Sequence, residues 1–328
     1  MKIKLLVLIS AVALLFFPKE NFSQAPNLGT ASSFALFTAV GAFNNIGAST
    51  YVTGDVGTNV GAFNAFPPGT VVGQIHVADP ISAQAATDVA VAYSSLSAVT
   101  CGIVHGVLLG GGEYLTPNVY CLGAASTLTG TLTLDGQGNP NSLFIFKING
   151  ALSTSTFSNV VLINSASLCN VYWQINGQFD LGNNSVFSGT IISNGAINLL
   201  DGSSLQGRGL STAGAISLQA NAVTIPLPPT ASIITAGGAT TFCDGGNVIL
   251  SGNIGGIWST GAVTPTINVI AGGDYYVTNT TACGSATSNH IIVTVNPLPS
   301  ATSSSISWGC WRFLKPPEDL LISGGMTF

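Results

Sequence analysis

Charged side chains are scarce: Asp, Glu, Lys and Arg together make up 6% of the 328 residues, against roughly 25% in an ordinary soluble domain. Between Pro26 and Ser305 the only Lys or Arg residues are Lys147 and Arg208. A nucleic-acid binder needs a basic footprint, which this chain lacks. No CxxC occurs, and His76, His105 and His290 show no metal-ligand spacing, which argues against zinc. After the N-terminus no segment is long and apolar enough for a membrane helix, so membrane insertion is not expected. Carboxylates are equally thin. Asp180 lies three residues after its nearest repeat glycine and Asp201 six after its own, so the two fall in different rows and do not form a catalytic pair. Asp55 and Asp135 read as turn caps. Gly110-Gly111-Gly112-Glu113 lacks the following helix of a phosphate loop, and the calcium-binding glycine nonapeptide is missing. Neither catalysis nor a cofactor is expected.

What the chain has instead is repetition. Glycine, a small or polar residue and a large apolar one recur at Gly41-Ala42-Phe43, Gly61-Ala62-Phe63, Gly150-Ala151-Leu152, Gly177-Gln178-Phe179, Gly195-Ala196-Ile197 and Gly214-Ala215-Ile216. A period of about 20 residues with alternating apolar positions signals a solenoid. Corner glycines would take backbone angles closed to other residues. Alternation at Phe144, Phe146 and Ile148, Trp173 and Ile175, Ile197 and Leu199, and Ile216 and Leu218 fits short strands. Leu128 to Leu134 reads as one further strand. Outward rows would then be mostly Ser, Thr, Asn, Gln and Gly.

Between the two groups of glycine phrases, Asp79-Pro80 reads as a helix N-cap with proline in the first turn. Ile81, Ala85, Val89, Ala92 and Leu96 continue at helical spacing, predicting a helix over about 79–97 that covers the side of the coil.

The ends carry different signals. Lys2 and Lys4 precede an apolar run from Leu5 to Phe17, followed by Ser23-Gln24-Ala25, the pattern of a signal peptide over residues 1–25. Export, to the medium or the cell surface, follows. In an exported chain six cysteines favour disulfides. Cys101 with Cys121 and Cys243 with Cys283 are the expected pairs. After a solenoid over 26–226, Leu227 to Pro229 is a stiff linker. Residues 230–296 carry β-sandwich texture around Trp258. Ile257-Trp258-Ser259-Thr260-Gly261 and Gly273-Asp274-Tyr275-Tyr276-Val277 resemble immunoglobulin-like or PKD-like modules of secreted bacterial proteins. Residues 297–328 read as a linker and a disordered or truncated tail. The fold class is therefore all-β with one long helix: a β-solenoid plus a small β-sandwich domain.

The stretch Asn170-Val171-Tyr172-Trp173-Gln174-Ile175-Asn176-Gly177, with Ser188-Gly189-Thr190-Ile191-Ile192, Gly207-Arg208-Gly209-Leu210-Ser211-Thr212, Asn27 to Phe34 and Leu143 to Lys147, resembles the microbial ice-binding protein family. That resemblance covers roughly Pro26 to Pro226. It implies a right-handed, three-faced, discontinuous β-solenoid with the helix alongside. It also implies adsorption to ice, with thermal hysteresis or inhibition of recrystallisation, and no catalysis. Family members present ice with one flat face of recurring Thr, Ser and Asn. Carried over, the candidates are Thr154, Thr156, Asn183, Ser185, Ser188, Ser203, Ser204, Asn221 and Thr224. A competing row holds Asn149, Asn176, Asn194 and Thr212, whose asparagines also read as turn ladders. A surface adhesin using the same coil for carbohydrate or protein contact is the alternative function. The second module would space or anchor the coil at the cell surface.

Overall fold

A computed structural model describes residues 25–226, 229–281 and 283–298. The signal-peptide reading, Leu227 and Pro228 of the linker, and the tail beyond Leu298 lie outside the described residues. The chain forms two compact units, divided between Leu227 and Pro228.

The first unit is a stack of parallel coils. The strands it stacks fall into a 15-stranded and an 8-stranded sheet. Together they form three faces, because the long strands Val186–Ser193 and Ser204–Ser211 run around a corner from one face to the next. Glycine makes that corner: Gly189 and Gly207 have φ of 113° and 144°, and a Cβ on Gly207 would run into the Gly189 carbonyl oxygen. The repeated glycine phrases line another corner. Gly41, Gly61 and Gly214 have the positive φ expected of them. Gly150, Gly177 and Gly195 do not, and are required there because a Cβ would strike the backbone of the neighbouring coil. Between Leu128 and Leu134 the predicted single strand is two, Ser126–Thr129 and Thr131–Asp135, separated at Gly130 by a third corner.

Chain order and stacking order differ. Coils rise from Ile103–His105 through Val119–Leu122, Phe144–Ile148 and Val171–Ile175 to the long strands. The next layer is supplied by the N-terminal strand Phe34–Val40, with Leu36 beside Gly209 and Phe37 beside Leu210. Asp55–Val60 and Ile75–Val77 complete the stack. Inside, aromatic rings pile along the axis. Centroids of Tyr120 and Phe146 lie 5.3 Å apart, of Phe146 and Trp173 3.9 Å, and of Trp173 and Phe187 4.8 Å. Such pairs add about 0.5–1.5 kcal/mol each beyond the area they bury.

The helix Pro80–Ala98 runs along one face. Asp79 and Ser82 form a reciprocal capping box, with Ser82 N donating to Asp79 Oδ1 at 2.7 Å and Asp79 N to Ser82 Oγ at 2.8 Å. This turns Ser82 inward and leaves Ile81 44% exposed, so Ser82 takes the place predicted for Ile81 in the buried stripe with Ala85, Val89, Ala92 and Leu96. At its start the helix meets the coil of His76, whose Nδ1 is 2.7 Å from Asp79 Oδ2. At its end Lys147 Nζ donates to the carbonyls of Ser97 and Val99 at 2.7 and 2.6 Å. From His76 to Lys147 the facing row passes through Gly57, Phe37, Leu210, Ile192 and Gln174. Those six inter-strand steps span about 29 Å. A helix of 19 residues rises about 28 Å, so its length matches the stack it covers.

Among the described residues no helix is long and apolar enough to cross a membrane. The second unit holds three small three-stranded sheets around Val248, Leu250, Trp258, Val269, Val277 and Val293. Trp258 Nε1 donates to the Thr264 carbonyl at 2.8 Å, and the Tyr275 hydroxyl to the Ala271 carbonyl at 2.9 Å. The latter contact has the form of a tyrosine corner.

Candidate functional site

The three faces of the coil differ in what their outward side chains are already doing. On the helix-covered face the outward Phe37, Ile145, Tyr172, Ile192 and Leu210 pack under the helix and the N-terminal segment. Arg208, also on this face, is buried, and its Nε and Nη2 donate to the Ser32 carbonyl at 2.9 and 2.7 Å. Burial pulls its pKa down. Asp88 completes the clamp on that short 3₁₀ helix (Gly29–Ser33) by accepting from Thr30 N at 2.7 Å. The two cations of the coil are thus both consumed at helix C-termini, where carbonyls lack partners.

The second face is the 8-stranded sheet. Across its eight strands the central outward row reads Leu108, Thr127, Ser153, Asp180, Asn198, Ser217, Asn44 and Asn64. Much of this row is bonded to itself. Asn198 Nδ2 donates to Asp180 Oδ1 and Gln178 Nε2 to Asp180 Oδ2, both at 2.6 Å, and Asn64 Nδ2 donates to Asn44 Oδ1 at 3.2 Å. Asp180 puts a carboxylate in its middle.

The third face is uncovered. Its outer row reads Thr131, Asn159, Val186, Ser204, Ala222, Tyr51 and Thr70 across successive coils. Two residues on lies a second row in the upper coils, Gln206, Thr224, Thr53 and Val72. Between the rows Leu132, Val160, Leu205, Val223 and Val52 point inward and are buried. Neither row contains a charged residue. No side-chain hydroxyl or amide of Thr131, Asn159, Ser204, Gln206, Thr224, Thr53 or Thr70 bonds to another described residue. These groups are outward, uncommitted and repeated at the strand spacing of about 4.8 Å.

The sequence-derived candidates divide sharply in this frame. Ser204 and Thr224 stand outward on the open face, and Thr156 and Asn183 are exposed at the corner beside it. The other five are corrected by the structure, because they face inward and tie corners together. Thr154 Oγ1 accepts from Gly182 N at 2.8 Å, Ser185 Oγ donates to the Ser155 carbonyl at 2.8 Å, and Ser188 Oγ donates to the Val160 carbonyl at 2.8 Å. Asn221 Nδ2 donates to Ser203 Oγ at 3.0 Å, with both residues buried. Sequence reading missed Thr131, Asn159, Thr53, Thr70 and Gln206; the alternation around Leu132, Val160, Val52 and Leu205 was the available signal.

In the competing row, Asn176 Nδ2 donates to Asn149 Oδ1 at 3.1 Å and Thr212 Oγ1 to Asn194 Oδ1 at 2.7 Å, while Tyr93 of the helix donates to Asn176 Oδ1 at 3.1 Å. That row is a turn ladder beside the helix. Asp201 is exposed in the turn before Ser203, at the margin of the open face. Among the described residues no group of three or more His, Cys, Asp or Glu could hold a metal ion. Cys101 and Cys121 form a disulfide with Cα atoms 6.0 Å apart, and Cys169, Cys243 and Cys283 are disulfide-bonded as well.

Known proteins share this architecture. An ice-binding protein of Nostoc sp. (strain HG1) is 35% identical over 226 residues, covering 67% of this chain and 82% of that protein. The crystal structure of an ice-binding protein from the Antarctic ascomycete Antarctomyces psychrotrophicus superposes with a TM-score of 0.60 at 33% identity, over 62% of this chain and all of that one. An ice-binding protein from an Antarctic Flavobacteriaceae bacterium gives a TM-score of 0.61 at 42% identity, over 67% of this chain and 54% of its own. The profile of the family described as Ice-binding-like matches residues 37–224, from the first strand of the N-terminal coil to the last strand of the long stack. The chain belongs to the Ice-binding-like family.

Proposed function

We propose that this protein adsorbs to ice through the open face and so inhibits ice growth or recrystallisation. The observation that carries the reading is the contrast in commitment between faces. The open face repeats neutral polar groups that bond to no other described residue, with methyl groups of Val186, Ala222 and Thr side chains between them, whereas the second face interrupts its free Thr127, Ser153 and Ser217 hydroxyls with the Asp180 carboxylate and its bonded neighbours. An ice lattice is bound by matching many water positions at once, and a rigid ladder holds its groups in place before contact. A carboxylate such as Asp180 orders water around itself in its own geometry and would disrupt such a match. Relatives and structural neighbours are ice-binding proteins. They lend no support to the adhesin alternative.

The contact residues on this reading are Ser204 and Thr224, joined by Thr131, Asn159 and Gln206, with Thr53 and Thr70 continuing the same rows and Thr156 and Asn183 at the corner. We assign no catalytic role and no cofactor. Export follows from the N-terminal pattern of Lys2, Lys4 and the apolar run to Phe17, and the second unit serves as an immunoglobulin-like spacer or anchor at the cell surface.

Ice-affinity partition and a recrystallisation assay on the mature chain test the face. Ser204→Tyr and Thr224→Tyr should each weaken activity strongly, whereas Ser217→Tyr on the second face should not. Equal loss from all three, or loss from Ser217→Tyr alone, would refute the assignment.

A further inference from the structure

On the proposed ice face one residue does not fit its row. Tyr51 occupies the outer position between Ala222 and Thr70, where every other position holds Thr, Asn, Val, Ser or Ala. It is 49% exposed, and its hydroxyl bonds to no other described residue. It is the bulkiest side chain of its row, and the other exposed tyrosine of this face, Tyr114 beside Thr133, lies at the opposite end of the stack. Packing does not explain it, because its inward neighbour Val52 fills the core at that coil and is fully buried.

A planar lattice cannot approach closely where one side chain projects. We infer that Tyr51 bounds the ice-contact patch, holding the crystal away from Thr70, Thr53 and Val72 and confining contact to the coils from Thr131 to Thr224. Resting on the proposed ice face, this inference concerns how much of that face is used. It makes Tyr51 a residue that limits affinity. Replacing it with the row's own residue type would add the uppermost coils to the contact.

The test is Tyr51→Thr in the mature chain, measured by the lowest concentration that halts recrystallisation. Circular dichroism and thermal melting serve as checks on folding. The expected result is roughly a threefold lower concentration than the parent, the scale of a few added side-chain contacts. Thr70→Tyr should have little effect in the parent, where Tyr51 already shields that position. It should cancel the gain when combined with Tyr51→Thr, the non-additivity expected of neighbours sharing one contact. Unchanged or lower activity of a folded Tyr51→Thr variant would overturn the inference. If Ser204→Tyr weakens activity while Tyr51→Thr brings no gain, only the boundary is wrong. If Ser204→Tyr has no effect, the face itself is wrong.

Discussion

The helix-covered and open faces are built from the same strands: Ser204–Ser211 contributes Ser204 and Gln206 to the open face and Arg208 and Leu210 to the covered one. Four residues of travel around Gly207 separate an exposed neutral surface from an apolar one under a helix. The difference teaches that the helix sorts the faces. It buries the outward Phe37, Ile192 and Leu210 and takes up Lys147 at its C-terminus, while Arg208 goes to the 3₁₀ helix. These apolar side chains and both cations are withdrawn to one side. The open face keeps polar groups that bond to no other described residue.

If that division is right, substitutions on the covered face should change stability, and those on the open face activity. The largest stability effect is expected for Ile192→Ala, fully buried beneath the helix: about 2–5 kcal/mol in chemical denaturation. Next comes Lys147→Met, which strips two helix-end carbonyls of their donor. A loss of about 1–2 kcal/mol is expected, and none would mean that water replaces the ammonium fully. Asp79→Ala should cost about 1 kcal/mol through loss of the cap. This contribution depends on pH in a defined sense. The Ser82 backbone hydrogen bond, then the one from His76, lower the Asp79 pKa from its ordinary 3.8. Stabilisation is therefore fully present above that ordinary value and lost as pH falls through the lowered one. The melting temperatures of parent and Asp79→Ala should converge in that acid range; a constant gap would show that the carboxylate charge is irrelevant. Smallest of all, Thr224→Tyr should leave stability within about 0.5 kcal/mol while reducing ice adsorption. Unfolding instead would erase the contrast between the faces.

Several features were readable in the chain because their causes are local. Asp79-Pro80 and the spacing of Ala85, Val89, Ala92 and Leu96 mark the helix, since capping and periodicity act within a few residues. Glycine phrases mark corners because neighbouring coils come too close there for a Cβ. Other features were not readable for equally physical reasons. Ser and Asn serve both as inward corner ties and as outward surface, so Ser203 and Ser204, adjacent in the chain, look alike until one is seen bonded to Asn221. Ile81 matched the helical period, but the capping box gave its place to Ser82.

Composition alone determined that this protein would offer a surface poor in charge, and repetition that it would be a coil, because both are properties of the chain before it folds. Which polar groups remain free was decided only in three dimensions. The Phe34–Val40 strand must come to rest on Ser204–Ser211, and the helix must settle along one side, before one face can be left bare. Both events join residues far apart in the chain, so no local pattern encodes their outcome.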